Sequence, residues 1–511
     1  AGRSGLDFIG INPLHALFLD TPDDASPYCP ASRLFKNPLY LDVTAVPGFA
    51  ESEKAKALAA APDVASAIEA AKSAKLVDYK KVAAAKLPVL AALFEEFLAD
   101  KKSKRAKSFR AFAAAAGHDL EKFALFQTLS EHFGTHDISR WPAGIQSAET
   151  PLAADYRDHF AGRIAFFCYL QWLCEEQFAA AAEAASAAGM GIGLYNDLAI
   201  SVNAASADCW SNPGLFATGL RVGSPPDPFN EAGQEWGVVP MRPAELKRTA
   251  FSHYIALLRA GMRHAGALRI DHVMGMQRQF LIPAGAKPAE GAYVRFPLED
   301  FLAVTALESQ RNNSLVIGED LGTVPEGFRE RMAKAQVLSC KVFYFEQDDG
   351  GPRKPEDYPP LAAVSVSTHD LSTLRGFLDG SDLDVRATAG MFATPGEEAA
   401  ARATRTREKR ELMFVLRQAG LLPPKVDPDN PGQGWTPAMA EAVQVYLAHA
   451  ASKLFLVQLD DLLGVEGQAN LPGTTRQHPN WRRRDPMTVE EIAADATAMD
   501  MLRAIVAARK A

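Results

Sequence analysis

Cysteine is scarce: five in 511 residues, at Cys29, Cys168, Cys174, Cys209 and Cys340. An odd count with no repeated spacing excludes a disulfide framework, and no Cys/His cluster has the spacing of a zinc site. That usage suits a reducing compartment, and the cytoplasm is the expected location. No apolar run is long enough to span a bilayer, and no charged start with an apolar centre marks a signal peptide. A phosphate-cradling loop is missing, as is a GxGxxG turn after a strand, so nucleotide chemistry has no anchor and no cofactor is expected. No short repeat is visible, which excludes a solenoid. Excess positive charge is also lacking. With 54 Lys and Arg against 62 Asp and Glu, the net charge of −8 gives no reason to expect nucleic acid or an anionic membrane as partner. The basic run 101–105 is local and reads as a solvated helix end.

What is present is apolar material for a large core, 48% of the chain. The length calls for one large catalytic domain with insertions, or for two to three domains. Leu6 to Ile11 reads as a largely buried strand with no element before it, stopped by Asn12-Pro13. Leu39 to Val43 reads as a second strand after the Pro-punctuated loop 26–30. From about Glu51 to Gly134 alanine and lysine dominate, and Leu87, Leu90, Phe94, Phe97 and Leu98 recur at helical spacing. The expected organisation is therefore an early barrel part over 1–50, a mainly helical insertion over 51–150, and the rest of a barrel over 151–511.

Beyond Asp155 the pattern is regular. An amphipathic helix carrying Ile164, Phe167, Cys168 and Trp172 precedes a strand around 191–195 that ends in Asn196-Asp197. Helices near 254–263 and 301–311 lead into strands ending in Asp271-His272 and Glu319-Asp320. Further strands are expected at 341–345, at 363–368 before His369-Asp370, and at 454–459. Short apolar strands alternating with helices predict a parallel sheet. Polar residues closing the strands are the mark of a (β/α)8 TIM barrel, whose active site lies at the C-terminal strand ends; a doubly wound sheet is the alternative.

Residues two apart on a strand share a face, so Arg269 and Asp271 point together. A guanidinium beside a carboxylate keeps it ionised, as a nucleophile requires, although a structural ion pair would have the same form. Glu319 and Asp320 face opposite ways, so only one of them aims at a substrate. A carboxyl beside apolar walls and other acids suits a general acid. Helix capping by Asp320 is the alternative, compatible with a catalytic Glu319. Asp370 suits stabilisation of a developing cation, with His369 hydrogen-bonding a sugar hydroxyl. Asp197 is another strand-end acid, for which capping is the alternative. Tyr28, Phe229 and Trp236 are loop aromatics of the kind on which sugar faces stack, or which pack a loop core. Carboxylates, an arginine and loop aromatics together suit glycosyl transfer through an oxocarbenium-like transition state.

The stretches Gly266 to Met274, Val316 to Pro325 and Ser367 to Asp370 resemble the amylomaltase family, 4-α-glucanotransferases of the α-amylase superfamily and bacterial maltodextrin-pathway type. So do Asn12 to Ala16, Ser26 to Tyr28, Gly223 to Asp227, Gly233 to Gly237 and Asn470 to Thr475. The resemblance runs nearly end to end. It implies Asp271 as nucleophile, Glu319 as acid/base and Asp370 as the carboxylate that binds and distorts the sugar ring. It further implies Arg269, His369, Asp197 and Tyr28 around the transferred glucose. Asp227 and Phe229 fall in the family's active-site loop on the acceptor side, with Gln234 and Trp236 as further substrate contacts. The partners it implies are maltooligosaccharides, maltodextrin or starch-type glucan, with glucose as acceptor and no metal. A retaining mechanism requires the two acting carboxyls to lie only about 5 Å apart. Family members carry a first barrel strand and helix ahead of Ser4 to Phe8, so the barrel is expected to lack that strand and expose two edges. An α-glucan hydrolase and a non-catalytic carbohydrate-binding relative are the rival readings.

Overall fold

The computed structural model describes residues 1–226, 232–348, 351–430 and 432–510. The chain divides into two compact units, Phe8–Val316 and Ala1–Asp7 with Ile317–Ala511.

In the unit Phe8–Val316, three parallel strands lie side by side: β1 (Phe8–Gly10), β2 (Gly193–Leu198) and β3 (Ala267–Ile270). All six residues of β2 are buried, the signature of a strand covered on both faces. β1 is not the buried strand its sequence suggests. Ile9 is 42% exposed, and the only pairing described for β1 is with β2. A single 3-10 turn, Gly2–Ser4, comes before it in the chain. β4 (Leu315–Gly318) begins in this unit, where the Leu315 amide donates to the Gly266 carbonyl at 2.9 Å. The helices Ser252–Met262 and Leu298–Asn312 pack against one another. Tyr254 shares a 2.8 Å hydrogen bond with Thr305, and Arg259 forks onto the buried Glu308 at 2.8 and 2.9 Å.

Leu39 to Val43 forms no strand. Asn37 caps a 3-10 turn at Pro38–Tyr40, whose proline sits at the first position, where its missing N–H costs nothing. The following carbonyls face Lys86, which donates to Leu39 and Leu41 at 2.7 and 2.8 Å. The strand in this region is Ser32–Lys36, paired antiparallel with His15–Ala16.

Helices occupy Glu53–Ala59, Pro62–Ser73, Tyr79–Ala99, Lys104–Phe133, Pro151–His159 and Ala161–Ala187. Side-chain caps from Ser52, Asp78, Ser103 and Thr150 start four of them. Their apolar faces meet in one cluster that includes Leu90, Phe94, Phe126, Trp141, Trp172 and Trp210. Arg105, in the basic run, pairs with Glu176 through two bonds of 3.0 and 2.8 Å.

In the other unit β4 ends beside β5 (Leu338–Val342), which pairs in parallel with β6 (Ala362–Ser365), and β6 with β7 (Leu454–Leu456). The apolar run Phe343–Phe345 leaves the strand and winds into a 3-10 turn. Helices Pro437–Ala448 and Ala496–Lys510 pack together. Arg509 ties them by donating to the carbonyls of Ala448 and Ala450 at 3.2 and 2.6 Å. All five cysteines are free thiols. Among the described residues no helix is long and apolar enough to cross a membrane.

Phe126 is fully buried between Trp141 and Trp210, with ring centroids at 5.5 and 5.9 Å. Phe126→Ala leaves a cavity there and is expected to cost about 3–5 kcal/mol, read as a lower denaturant midpoint with an unchanged slope.

Candidate active site

In the unit Phe8–Val316, the parallel register of β2 and β3 sets Asp197 directly opposite Arg269. Both side chains stand on one face, and Asp271, two residues past Arg269, stands there too. The Asp271 amide donates to the Leu198 carbonyl at 3.0 Å, which carries the ladder one step past the end of β3. Arg269 joins the two acids. Its Nη1 donates to both Asp197 oxygens at 2.9 and 2.8 Å, and its Nη2 to Asp271 Oδ1 at 3.0 Å. Asp197 belongs to the strand and caps no helix.

Tyr28 completes the group. Its hydroxyl donates to Asp197 Oδ2 at 2.6 Å, and its ring lies 5.9 Å from the Arg269 guanidinium. Burial, with Asp197 next in weight, pushes the phenol well above its ordinary range, so it remains a donor. The loop that presents Tyr28 is held at its base by Arg33 on the strand Ser32–Lys36. Arg33 donates to the carbonyls of Ala199 and Ile200 at 2.9 and 2.8 Å, just beyond β2. His15 Nε2 accepts from the Ala199 amide at 3.2 Å. An accepting ring is neutral, and burial drives the His15 pKa down to about 3.

Gln234 and Trp236 lie on and just after a short strand beside Leu220–Ser224. The Trp236 indole donates to Gln234 Oε1 at 2.9 Å, and its ring meets His272 edge-on at 5.0 Å. His272 has a left-handed backbone, φ 45°, and burial lowers its pKa to about 4. Gly223 is required at the crossing of these strands, since a Cβ there would stand 2.0 Å from the Gln234 carbonyl oxygen. The Asp227 and Phe229 expected in the adjoining loop lie outside the described residues.

In the other unit, β4 delivers Glu319 and Asp320 with opposite fates. Asp320 is fully buried. It accepts from Arg329 Nε at 2.6 Å, Ser339 Oγ at 2.5 Å and the Cys340 amide at 2.8 Å. It therefore fastens the turn after β4 to β5. The alternative of a helix cap does not apply, since the next helix begins at Phe328 behind Gly327. Glu319 is half-buried, and its Oε1 accepts from the Leu321 amide at 2.7 Å.

Past β6, Asp370 accepts from Asn470 Nδ2 at 2.7 Å, and His369 Nε2 lies 3.5 Å from Asp370 Oδ2. The His369 ring packs against Trp481 at 5.2 Å. Asn470 and Trp481 were given no role by sequence reasoning. For Asn470 the signal available was its place in the resembling stretch Asn470 to Thr475; Trp481 is a lone tryptophan in a polar segment with no helical or strand period.

The structure thus gathers Tyr28, Asp197, Arg269 and Asp271 in one unit, and His369, Asp370 and Asn470 in the other. Among the described residues no three His, Cys, Asp or Glu side chains are grouped to hold a metal ion. Such a strand-end array of carboxylates and one guanidinium is suited to binding neutral hydroxyl-rich ligands and to stabilising a sugar cation.

A family profile described as 4-alpha-glucanotransferase matches residues 1–488. The chain belongs to the 4-alpha-glucanotransferase family. The 4-alpha-glucanotransferase of Haemophilus influenzae is 35% identical over 497 residues, covering 95% of this chain and 71% of that one. The Mycobacterium tuberculosis protein of the same name is 34% identical over 527 residues, covering 99% and 71%. The crystal structure of amylomaltase from Corynebacterium glutamicum matches with a TM-score of 0.86 at 31% identity, over 99% of this chain and 70% of that one. Amylomaltase from Streptococcus agalactiae, in complex with acarbose, matches in fold with a TM-score of 0.74 at 21% identity, over 99% and 92%. The fold class is the (β/α)8 barrel. A 4-alpha-glucanotransferase is an enzyme, so the binding-only alternative falls away.

Three histidines of the unit Phe8–Val316 stay neutral, His15 buried and His253 and His272 partly buried: desolvation lowers His15 and His253 to about 3 and His272 to about 4, from 6.5. Unfolding exposes all three, and the unfolded chain takes up their protons below 6.5 while the folded chain does not. Stability is therefore complete above 6.5 and is lost as the medium is acidified from 6.5 towards 4. His253→Phe is expected to make that loss shallower by one proton, measured by denaturant unfolding across the same pH range.

Proposed function

We propose that this enzyme transfers α-1,4-glucan segments to the 4-hydroxyl of glucose or another glucan by a retaining double displacement. Asp271 attacks the anomeric carbon while Glu319 protonates the departing glucan oxygen. The glucosyl–enzyme ester that forms is then attacked by the acceptor hydroxyl, with Glu319 now taking the proton and Asp271 leaving. Asp370 binds the ring hydroxyls of the transferred glucose and favours its distortion towards the oxocarbenium ion. Maltooligosaccharides, maltodextrin and starch-type glucan are the donors, and the cytoplasm is the proposed place of action.

The observation that carries this reading is the Arg269 fork between Asp197 and Asp271. Arg269 holds the Asp271 side chain by a 3.0 Å hydrogen bond and aims it from the strand end, as a nucleophile requires. Tyr28 and Asp197, already joined to each other, offer the same glucose acceptor oxygens. His369 and Arg269 add donors. Trp236, half-buried beside His272, offers an apolar face for a neighbouring sugar, with Gln234 at its edge. Asp227 and Phe229 complete the acceptor side in this proposal.

Transfer and hydrolysis separate on maltotriose. Transfer gives glucose together with products longer than the substrate; hydrolysis gives shorter sugars alone. Asp271→Asn removes the nucleophile and keeps the side-chain shape, so transfer should fall by roughly 10,000-fold or more with the melting temperature nearly unchanged. Glu319→Gln should lower transfer by roughly 100- to 10,000-fold. Chromatography of the maltotriose products reads both, and wild-type turnover in Asp271→Asn would remove the nucleophile assignment.

A further inference from the structure

Asp461 is a buried carboxyl that the mechanism does not use. It is 1% exposed and sits in the single helical turn Leu459–Leu462, just past β7. Its Oδ1 accepts from the Leu374 backbone amide at 2.7 Å, and its Oδ2 from Gln444 Nε2 at 3.3 Å. Leu374 is the first residue of the helix Leu374–Asp379, whose N-cap is Thr373. The turn that carries His369 and Asp370 runs straight into that cap.

The same stretch of chain, 458–470, grips this turn along its length. Gln458 Nε2 donates to the Ser367 carbonyl at 2.9 Å, and the Asn470 amide to the His369 carbonyl at 3.0 Å. Thr373 Oγ1 donates to the Glu466 carbonyl at 3.0 Å, and Arg375 to the Gly464 carbonyl at 3.0 Å. Asn470 Nδ2 reaches the Asp370 carboxylate itself at 2.7 Å. Within the turn, Ser367 Oγ closes a further bond to the Ser372 carbonyl at 2.7 Å. Of these outer bonds, the one from Leu374 ends on a buried acid, where the desolvation cost is greatest. Thr373 Oγ1 takes the Gly376 amide and Asp461 the Leu374 amide, two of the four that a helix start leaves open. The Asp461 bond is the one that ties this helix start to the stretch 458–470 through a side chain fixed in the core.

We propose that Asp461 is a positioning residue for glycosyl transfer: its buried carboxyl pins the first amide of helix Leu374–Asp379 and so sets where the turn presents Asp370. This rests on the role proposed for Asp370. Burial pushes the Asp461 pKa up to about 7, and both the charged and the neutral carboxyl keep an oxygen for the Leu374 amide. An asparagine keeps the same acceptor. With the Gln444 amide turned over, the asparagine NH2 group donates to Gln444 Oε1, which is buried and has no hydrogen-bond partner.

The test compares D461A, D461N, D370N and the double variant D370N/D461A, with kcat and KM on maltotriose measured well below each melting transition. D461A should lower kcat by about tenfold or more while KM moves by less than about twofold, because a misplaced Asp370 acts on the transition state. D461N should restore kcat. The double variant should be no slower than D370N alone. If D461A is not recovered folded, D461S carries the same expectation, since its small polar side chain cannot span to Leu374. Wild-type kcat in D461A or D461S, with only the melting temperature lowered, would show Asp461 to be structural and overturn the proposal. So would a kcat in D461N as low as in D461A. A D370N variant turning over at the wild-type rate would instead overturn the role of Asp370. D370N inactive beside a fully active D461A would overturn the positioning role alone.

Discussion

One guanidinium organises the acidic strand ends of the larger unit. Two carboxylates, Asp197 and Asp271, stand at the ends of neighbouring strands, and like charges so placed repel unless a cation lies between them. Arg269 gives three N–H···O bonds to the pair and holds both in place. The arrangement depends on a rigid parallel register, since a slip of one residue between β2 and β3 would send the acid and the arginine to opposite faces. The buried strand β2, the close approach of Gly266 to Ile192, where a Cβ would stand 2.0 Å from the carbonyl oxygen, and the Arg33 and His15 contacts just past β2 all serve that register.

The other unit solves a different problem with the same materials. Adjacent acids at the end of β4 must not both face one way. Asp320 is consumed by Arg329, Ser339 and the Cys340 amide. That leaves Glu319 as the half-buried carboxyl of the pair. Beyond β6 the exposed Asp370 is steered through its neighbours, with Asn470 on its carboxylate and Asp461 behind the helix that follows. In both units a carboxylate assigned to chemistry is backed by a second polar group that never needs to touch substrate. That is how a site on strand ends acquires fixed geometry.

Most of the strand ends were legible because two local signals agree there. Apolar runs of four to six residues give the strand, and a charged residue closing the run marks its mouth, as at Asp271 and Glu319. Where only one signal exists the reading failed. Leu39 to Val43 has strand-like composition, yet Pro38 and the Asn37 cap bend it into a 3-10 turn whose carbonyls are met by Lys86, 45 to 47 residues away. Phe343 to Phe345 is as apolar as a strand but follows one already complete at Val342. For Asp320 the local sequence offered capping as the alternative role. Its true partners lie 9 to 20 residues along the chain.

The sequence by itself determined the fold class, the family and the order of the acidic strand ends, because short apolar runs and local motifs are properties of neighbouring residues. It also determined that Arg269 and Asp271 share a face, since strand geometry needs no partner to impose that. Only the tertiary structure decided that Asp197 stands opposite Arg269, that Tyr28 donates to Asp197, and that Asn470 and Asp461 support the turn of Asp370. Those pairings join residues 70 to 170 apart, and the register and loop closure that bring such residues together are set by packing of the whole unit, which no local pattern encodes.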